Sequence, residues 1–344
     1  MSKIPLKRVF KISLLVWTGI FVLFVVGAIR KLLPMKVFGI PLLAVLAAAF
    51  LLFLAAWILY FRHLMKCEAE GRSAFGLFLI GTVHRYRFLI EQLVSRDFKI
   101  KYKRSVLGIF WSFLNPLLMM LVQYVVFSHL LNIRGDVRHY AIYLLSGIVI
   151  WNGFNDCSTQ AMRSITGNAT LITKVYVPKY IYPVTKVCSA FINTLLSMIP
   201  LHLVTAVYGL FSDPHLFLNE TVLLLPFGLF FLLIFNIGMG FLLSSLMVFF
   251  HDVEFLWGVF STIWMYATPI IYSLSMFESR AGWLVTLMQF NPLYHYISFF
   301  RTVILEGASP AFAEYGICAL CSALMFTLGF IVFKKTQDRF VLYL

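Results

Sequence analysis

Five basic residues lie within a nine-residue run of a chain that is otherwise poor in charge: Arg96, Lys99, Lys101, Lys103 and Arg104. Lysine and arginine make charge-assisted hydrogen bonds to phosphate oxygens, so this run could hold the pyrophosphate of a lipid-linked substrate. The same residues could anchor a helix to anionic lipid headgroups, at about 1 kcal/mol per basic residue. Composition alone favours the anchor, and a phosphate-binding site is the sharper alternative.

Other chemistry finds little support in the sequence. It contains no G-x-x-x-x-G-K-[ST] phosphate loop, no helical H-E-x-x-H and no nucleophile elbow. Asp156 lies sixteen residues after Tyr140, about 24 Å along a helix, which suits a helix-end acid or a packing polar group better than a proton relay. Cys318 and Cys321 lack the histidines or second cysteine pair of a zinc site. We expect a chain that is not an enzyme by itself, with no metal and no cofactor of its own.

The composition is that of a membrane protein. The chain has 344 residues, of which 61% are hydrophobic and 12% charged, with a mean hydropathy of +0.90. Soluble domains are about 45–50% apolar and about 25% charged. The net charge of +14 would suggest nucleic acid in a soluble domain, but in a membrane chain basic loops are orientation signals. We therefore expect an integral membrane protein and no nucleic-acid partner.

The apolar runs predict eight membrane spans, because a helix needs roughly 20 apolar residues to cross a bilayer. The clear runs are 12–29, 38–61, 108–131, 181–210, 221–250 and 312–333. Two further helices begin near Tyr140 and near Phe255. With the N-terminus in the cytoplasm, 21 of the 28 lysines and arginines lie on the cytoplasmic side. The positive-inside rule therefore predicts that both termini are cytoplasmic.

The apolar segment 283–305 is interrupted by Asn291-Pro292 and carries Arg301. A single crossing here would place Lys334 and Lys335 outside. Proline lacks an N–H and has a fixed φ, so it breaks a helix at this point. We expect a re-entrant pair of half-helices at the outer face, and a plain span with a proline kink is the alternative.

An apolar stripe precedes the basic run and is typical of an amphipathic helix in the membrane interface. Its members are Tyr86, Leu89, Ile90, Leu93 and Val94. From 98 to 103, apolar and basic residues alternate strictly, which is the pattern of a strand. We favour a helix, because a lone strand would leave backbone groups unpaired at the membrane.

The stretch NATLITKVYVPKYIYPV, 168–184, lies between two spans and is cytoplasmic in the predicted orientation. We expect a short helix, 171–176, capped by Asn168 or Thr170 and ended before Pro178. Its apolar side chains would be exposed and would need a groove in a partner: Leu171, Ile172 and Val175. A structured turn between helices is the alternative, and it explains the prolines but not these apolar residues.

Five motifs occur in order between about residue 85 and the C-terminus: RDFKIKYKRSVLGIFWSFLNPLLMML, YLLSGIVIWNGF, NATLITKVYVPKYIYPV, HDVEFLWGVFSTIWMYATPIIYSLS and FNPLYHYISFFR. Together they resemble the permease subunits of ABC-type polysaccharide exporters, the family that serves O-antigen, teichoic acid and capsule-type glycans. The resemblance implies an all-α membrane fold, a six-helix exporter half with outer re-entrant helices. It also implies a homodimer in the bacterial inner membrane, with two separate ATP-binding subunits that hold ATP and Mg. The cargo would be a polyprenyl-pyrophosphate-linked or similarly lipid-linked glycan.

The resemblance also assigns residues to sites. The run 96–104, with Gly108, would belong to an interfacial helix beside the lateral substrate entry. The helix that docks into the ATPase would contain Asn168, Leu171, Ile172 and Lys174. Candidates for channel-lining aromatic residues are Trp111, Tyr124, Trp151, Phe154 and Tyr266. The outer gate would contain Pro269, Tyr272, Asn291 and Pro292.

The first two spans and the loop 62–84 have no counterpart in the usual six-helix subunit. We therefore divide the chain into an N-terminal two-helix hairpin (1–62), a cytoplasmic linker with the interfacial helix (63–107) and a six-span exporter domain (108–344). The hairpin could flank the entry portal, dock a synthesis enzyme or serve as an anchor. Two other functions stay open: an ABC exporter of small lipids or drugs, and a membrane-embedded glycosyl- or acyltransferase.

Overall fold

The computed structural model describes residues 6–32, 36–37, 40–70, 75–103, 105–130, 137, 139–174, 177–212, 216, 220–278 and 282–344. The described part is helical, apart from the strands β1 (Lys36–Val37) and β2 (Ile40–Pro41), which pair antiparallel. The α-helices are α1 (Leu6–Leu32), α2 (Leu42–Ala69), α3 (Phe75–Tyr102), α4 (Phe110–Tyr124), α5 (Tyr140–Met162), α6 (Ala169–Lys174), α7 (Ile181–Phe211), α8 (Leu225–Phe249), α9 (Val253–Tyr266), α10 (Ser275–Glu278), α11 (Gly282–Gln289), α12 (Pro292–Ile304), α13 (Phe312–Thr336) and α14 (Phe340–Tyr343). A π-helical turn, Val125–Leu130, continues α4, and 3₁₀ turns lead into three other helices: Thr166–Asn168, Glu220–Leu224 and Gln337–Arg339.

Six helices within the described residues are long and apolar enough to cross a membrane. They cover Leu6–Val26, Phe50–Ala69, Phe110–Leu130, Ile181–Phe211, Glu220–Phe249 and Phe312–Tyr343. The prediction of an all-α integral membrane protein is confirmed at this level. The other two predicted spans are helices as well, but α9 has only 14 residues and α5 carries polar residues in its second half.

The second predicted span was placed too early in the chain. The prediction was 38–61, whereas α2 runs from Leu42 to Ala69. The strands β1 and β2 lie just before it, so part of the predicted span belongs to a short ribbon instead. Hydropathy gave no signal for this ribbon, because Ile40-Pro41 is as apolar as the helix that follows.

The contacts divide the chain into two compact units. The first comprises residues 1–92 and 220–224. In this unit α1 and α2 run antiparallel, because Phe21 stacks on Phe50 at 4.0 Å between ring centroids while Ser13 accepts a hydrogen bond of 3.2 Å from Trp57 Nε1. The two N-terminal helices therefore form a hairpin, and aromatic contacts and the Trp57–Ser13 hydrogen bond join them.

The second unit comprises residues 93–219 and 225–344. At its centre α5 packs against α7 and α8, and α8 packs along α13. The α8–α13 approach is closest at Gly238 and Gly329, where a Cβ added to Gly329 would overlap the carbonyl oxygen of Gly238. Small residues are what permit such close packing of membrane helices. This bundle matters for the site because α5 and α7 carry most of its polar side chains.

Two local predictions are confirmed. The basic run is helical rather than extended, since α3 continues through Lys99 and Lys101 to Tyr102. The chain also breaks at the predicted proline: α11 ends at Gln289 and α12 begins at Pro292, with Asn291 as its N-cap. Placement of these helices as a re-entrant pair stays a prediction, because it depends on the position of the membrane.

Candidate functional site

A polar cavity of about 310 Å³ lies beside the end of α3, between the start of α4 and the middles of α5 and α7. Amide and hydroxyl side chains are concentrated on its wall: Ser112, Asn115, Asn152, Asn193 and Ser197. Two of the predicted site residues, Lys101 and Trp111, also line it. Hydroxyl and amide groups in a cavity with two aromatic rings, those of Tyr102 and Trp111, can recognise a sugar through hydrogen bonds and ring stacking.

Tyr102 holds the elements of this cavity together. Its hydroxyl donates to Asn193 Oδ1 on α7 at 2.6 Å and also contacts the Ser112 hydroxyl on α4. Ser197 Oγ is within hydrogen-bond distance of the Ser112 carbonyl (3.1 Å) and of the Asn193 carbonyl (2.9 Å). The end of α3 is therefore fixed against α4 and α7, which sets the position of the lysines that precede it.

Lys101 pairs with Asp156 across the cavity, at 3.3 Å between Nζ and Oδ2. The two side chains are 40% and 49% exposed. Such partly exposed pairs contribute about 0–1 kcal/mol, because solvent screens them. The role of Asp156 stays a prediction. The ion pair is weak enough for Lys101 to exchange it for an anionic ligand.

The other described basic residues of the run fall into two groups, those with an acidic partner and those without one. Arg96 bonds to Asp97 at 3.1 Å and to Asn168 Oδ1 at 3.5 Å, and Asp97 also pairs with Lys186 at 2.8 Å. Arg96 is therefore tied to a nearly buried carboxylate that is shared with α7. These contacts hold α3 to α7, and a role for Arg96 in binding the substrate stays a prediction.

Lys99 and Lys103, by contrast, are exposed and have no acidic partner among the residues that the structure describes. Arg104 lies outside the described residues. Gly108 has a positive φ of 50°, a conformation that glycine adopts at no steric cost, and it turns the chain from α3 into α4. Lys99 and Lys103 are thus the described basic residues of the run that are exposed without an acidic partner, two residues before and after the cavity-lining Lys101. Their role in phosphate binding stays a prediction.

The short helix predicted after α5 exists, with three corrections. It runs from Ala169 to Lys174 and so begins two residues earlier than predicted. Asn168 does not serve as its cap: the side chain is buried, donates to the Ser164 carbonyl at 2.7 Å and accepts from Arg96. The third correction concerns its apolar face. Ile172 is 8% exposed and lies with the partly buried Leu171 in a cluster inside the same chain, so the expectation of exposed side chains was wrong.

The outward side of this helix is polar. Thr170, Thr173 and Lys174 are exposed, and Val175 and Tyr176 lie outside the described residues. The docking role assigned by resemblance stays a prediction. If an ATP-binding subunit meets this helix, it meets those polar side chains and not Leu171 and Ile172.

The predicted channel aromatics occupy different environments. Trp111 and Tyr266 are 45% and 60% exposed, so both are free to face lipid or a channel. Tyr124 packs near Tyr140, with ring centroids 6.2 Å apart. Two of the candidates are buried in the single chain, and their assignment to the channel stays a prediction. Phe154 is 0% and Trp151 is 5% exposed, and both pack in the core of the bundle rather than on an open surface.

Among the predicted outer-gate residues, Asn291 makes three side-chain hydrogen bonds. Asn291 Oδ1 accepts from Trp264 Nε1 at 2.8 Å and from Leu293 N at 3.0 Å, while its Nδ2 donates to Thr268 Oγ1 at 2.8 Å. These bonds tie the end of α9 to the start of α12. Helix α9 ends at Tyr266, and an irregular segment follows it.

Arg301 is the residue of this region that the sequence interpretation missed. Its guanidinium donates to the Pro269 carbonyl at 2.8 Å and to the Ile270 carbonyl at 3.0 Å, and it covers the Tyr143 ring. The Tyr143 hydroxyl in turn donates to the Tyr272 carbonyl at 2.8 Å. A lone arginine in an apolar segment was the available signal, since charge inside a membrane protein usually faces a partner. It had been treated only as an orientation signal.

The fold and this site define a multi-pass membrane permease. Residues 89–305 match the family model of ABC-2 type transporters, so the chain belongs to that family. It is similar to the O-antigen export system permease protein RfbA of Klebsiella pneumoniae, with 27% identity over 252 residues, 73% of this chain and 93% of the relative. The corresponding protein of Myxococcus xanthus is 26% identical over 263 residues, 76% of this chain and 97% of the relative. The polysialic acid transport protein KpsM of Escherichia coli is 19% identical over 250 residues, 72% of this chain and 93% of the relative.

The resemblance found in the sequence is thereby confirmed. Permeases of this family are not enzymes by themselves, and the family implies ATP-binding partner subunits. The matched region begins within α3, so α1 and α2 lie outside it.

Proposed function

We propose that this chain is the transmembrane subunit of an ATP-driven exporter of a lipid-linked polysaccharide. The glycan would cross from the cytoplasmic to the outer face of the bacterial inner membrane while attached to a polyprenyl-pyrophosphate-type carrier. Two copies of the chain would work with two ATP-binding subunits, which hold the ATP and Mg. The similarity to O-antigen export permeases supports the class of cargo, because this chain aligns with 93% and 97% of the length of these relatives.

The observation that carries the proposal is that the basic run reaches the polar cavity: Lys101 lines it, and Lys99 and Lys103 lie two residues before and after Lys101 in the chain. Both lysines are exposed, and Lys101 between them lines the cavity in a weak ion pair with Asp156. A pyrophosphate at these lysines would leave the first sugar next to Asn115, Asn152 and the other amide and hydroxyl groups. This arrangement suits a ligand with an anionic group joined to a sugar. A helix that only binds lipid headgroups would need no polar cavity next to its lysines.

The N-terminal hairpin and the orientation complete the proposal. Both termini would be cytoplasmic, as the distribution of lysine and arginine predicts. The helices α1 and α2 would be an addition to a six-helix exporter half, and α11 and α12 a re-entrant pair at the outer face. The hairpin lies outside the region that matches the family, which supports its description as an addition.

The test is transport in membrane vesicles of inverted orientation that contain the chain, its ATP-binding subunit and a lipid-linked glycan. We expect ATP-dependent accumulation of glycan in the lumen, and a several-fold loss of it when Lys99 and Lys103 are both changed to Glu, because two phosphate contacts become repulsive. Arg87→Glu, on the same helix but in the exposed pair with Glu91, is the matched control and should keep transport near wild type.

Three results would count against the proposal. Glycan that reaches the lumen without ATP would exclude an ATP-driven exporter. An equal loss of transport in the Arg87→Glu control would indicate that Lys99 and Lys103 only anchor the helix to lipid headgroups. Stimulation of the partner ATPase by small amphiphiles, with no glycan transport, would instead support the alternative of a lipid or drug exporter.

A further inference from the structure

The last eight residues of the chain fold back onto the loop between α5 and α7. We call residues 337–344 the C-terminal hook and residues 163–180 the α5–α7 loop. Phe340 of the hook is 0% exposed and lies in one apolar cluster with Ile165 and Ile172 of the loop. Tyr182, at the start of α7, belongs to the same cluster. The buried face of α6 is therefore covered by the end of the same chain.

A lysine joins the hook to the loop by two further contacts. Lys179 Nζ donates to the Gln337 carbonyl at 2.6 Å and lies 5.9 Å from the centroid of the Phe340 ring. Gln337 caps the C-terminus of α13, where cations are favoured because the helix dipole has its negative end there. The ring supplies a second, cation–π contact. Both contacts depend on the position of the hook.

The hook also joins the ends of two membrane helices. The Phe340 ring meets Phe333 of α13 edge-on, with centroids 5.3 Å apart, and Phe249 of α8 at 5.9 Å. Tyr343 adds a contact to Phe249 at 4.9 Å. Phe340 thus contacts the loop, α8 and α13 at once, and these two helices are in close contact at Gly238 and Gly329.

The loop needs such support because α6 is too short to be stable alone. It has six residues, and isolated helices shorter than about 12–15 residues are marginal in water. Its stability must come from packing, and the packing surface is the cluster around Phe340. Close-packed side chains also transmit a displacement, because they have little free volume in which to absorb it.

We infer that the C-terminal hook is a positioning element that couples the α5–α7 loop to α8 and α13. Phe340 and Lys179 are its positioning residues. A push on the polar outer side of α6 is passed through the buried cluster to the ends of the two helices. The inference rests on the proposed function, in which an ATP-binding subunit contacts α6, but the contact between hook and loop can be measured without it.

The experiment uses the full chain in nanodiscs and, with its ATP-binding subunit, in proteoliposomes. Phe340→Ala should raise amide hydrogen exchange in residues 163–174 roughly tenfold, because a local packing contact is lost. It should also lower the glycan transported per ATP hydrolysed while the subunits still assemble. Leu342→Ala is the matched control, since Leu342 lies in the same short helix but is 82% exposed. It should behave as wild type in every readout.

A second pair of variants keeps the test decisive if Phe340→Ala fails to fold. Lys179→Met removes the donor and the charge but keeps the length of the side chain, so it should raise exchange in 163–174 and lower transport per ATP. Lys179→Arg keeps a donor for the Gln337 carbonyl and a cation for the ring, and it should restore both readouts toward wild type.

The inference is overturned if exchange in 163–174 is the same in Phe340→Ala, Lys179→Met and Leu342→Ala. It is also overturned if exchange rises but transport per ATP does not change, because the hook would then have a structural role alone. If wild-type protein shows no ATP-dependent glycan transport, the proposed function fails, and the exchange data still decide whether the hook holds the loop.

Discussion

The guanidinium of Arg301 lies 3.4 Å from the centroid of the Tyr143 ring. The same group donates to the carbonyl of Tyr143 at 3.2 Å and to those of Pro269 and Ile270 at 2.8 and 3.0 Å. A planar cation with several donors can satisfy three carbonyls and stack on a ring at the same time. One side chain therefore joins α12 to α5 and to the irregular segment after α9, in the region of the predicted outer gate.

We expect that lysine at position 301 cannot substitute for the arginine in stability or in export. Arg301→Lys keeps the charge but loses the planar fork, so at least one carbonyl is left without a donor, at a cost of about 1–3 kcal/mol. We expect a lower midpoint of thermal unfolding in nanodiscs and less export. Tyr143→Phe is the control: it keeps the ring and loses only the bonds to the Pro269 and Tyr272 carbonyls, so its effect should be smaller. Equal stability of Arg301→Lys and wild type would show that the carbonyls do not need the arginine.

Asn291 should be sensitive to replacement for a different reason. Its side chain caps α12 through Leu293 N and also bonds to Trp264 and Thr268. Asn291→Ala removes the cap, worth about 1 kcal/mol, and leaves the Trp264 N–H without its acceptor. Asn291→Ser keeps a capping oxygen but is too short to bridge to Trp264. We expect unfolding temperatures in the order wild type, Ser, Ala; a Ser variant as stable as wild type would show that only the cap matters.

Local chemistry is what made some of these features predictable. The break at Asn291-Pro292 follows from a proline that lacks an N–H and an asparagine that caps helices, both of which act within three residues. The helical state of α3 followed from the cost of an unpaired strand. In each case the physical cause lies in the segment itself, so no knowledge of the rest of the fold was needed.

Long-range partners explain what the sequence could not give. Ile172 is buried because Phe340 comes to lie near it, although the two are 168 residues apart in the chain. Lys101 is paired because α5 brings Asp156 to it across 55 residues. Phe154 is equally aromatic whether it faces lipid, a channel or a core, and only the packing of the bundle decides. Pattern and hydropathy contain none of this information.

The close contact between α8 and α13 gives a third prediction. Gly329→Ala would force a Cβ against the carbonyl oxygen of Gly238, so α8 and α13 must move apart. Overpacking of this kind costs about 1–3 kcal/mol. Gly316→Ala, on the same helix, is the control, because no described atom lies within 4 Å of a Cβ placed there. We expect only Gly329→Ala to lower the unfolding temperature, and equal effects of both would mean that helix propensity rather than contact decides.

Substitutions on the buried side and on the exposed side of α6 should have different effects. Ile172→Asp places a charge in the cluster around Phe340, where an unpaired buried charge costs several kcal/mol, so it should reduce the folded protein recovered from membranes. Lys174→Glu changes an exposed side chain. It should change the free energy of unfolding by no more than about 0.5 kcal/mol. It should nevertheless weaken capture of the ATP-binding subunit in a pull-down, if that subunit contacts the polar side of α6. Normal folding of Ile172→Asp would contradict the buried cluster, and undiminished capture by Lys174→Glu would place the partner elsewhere.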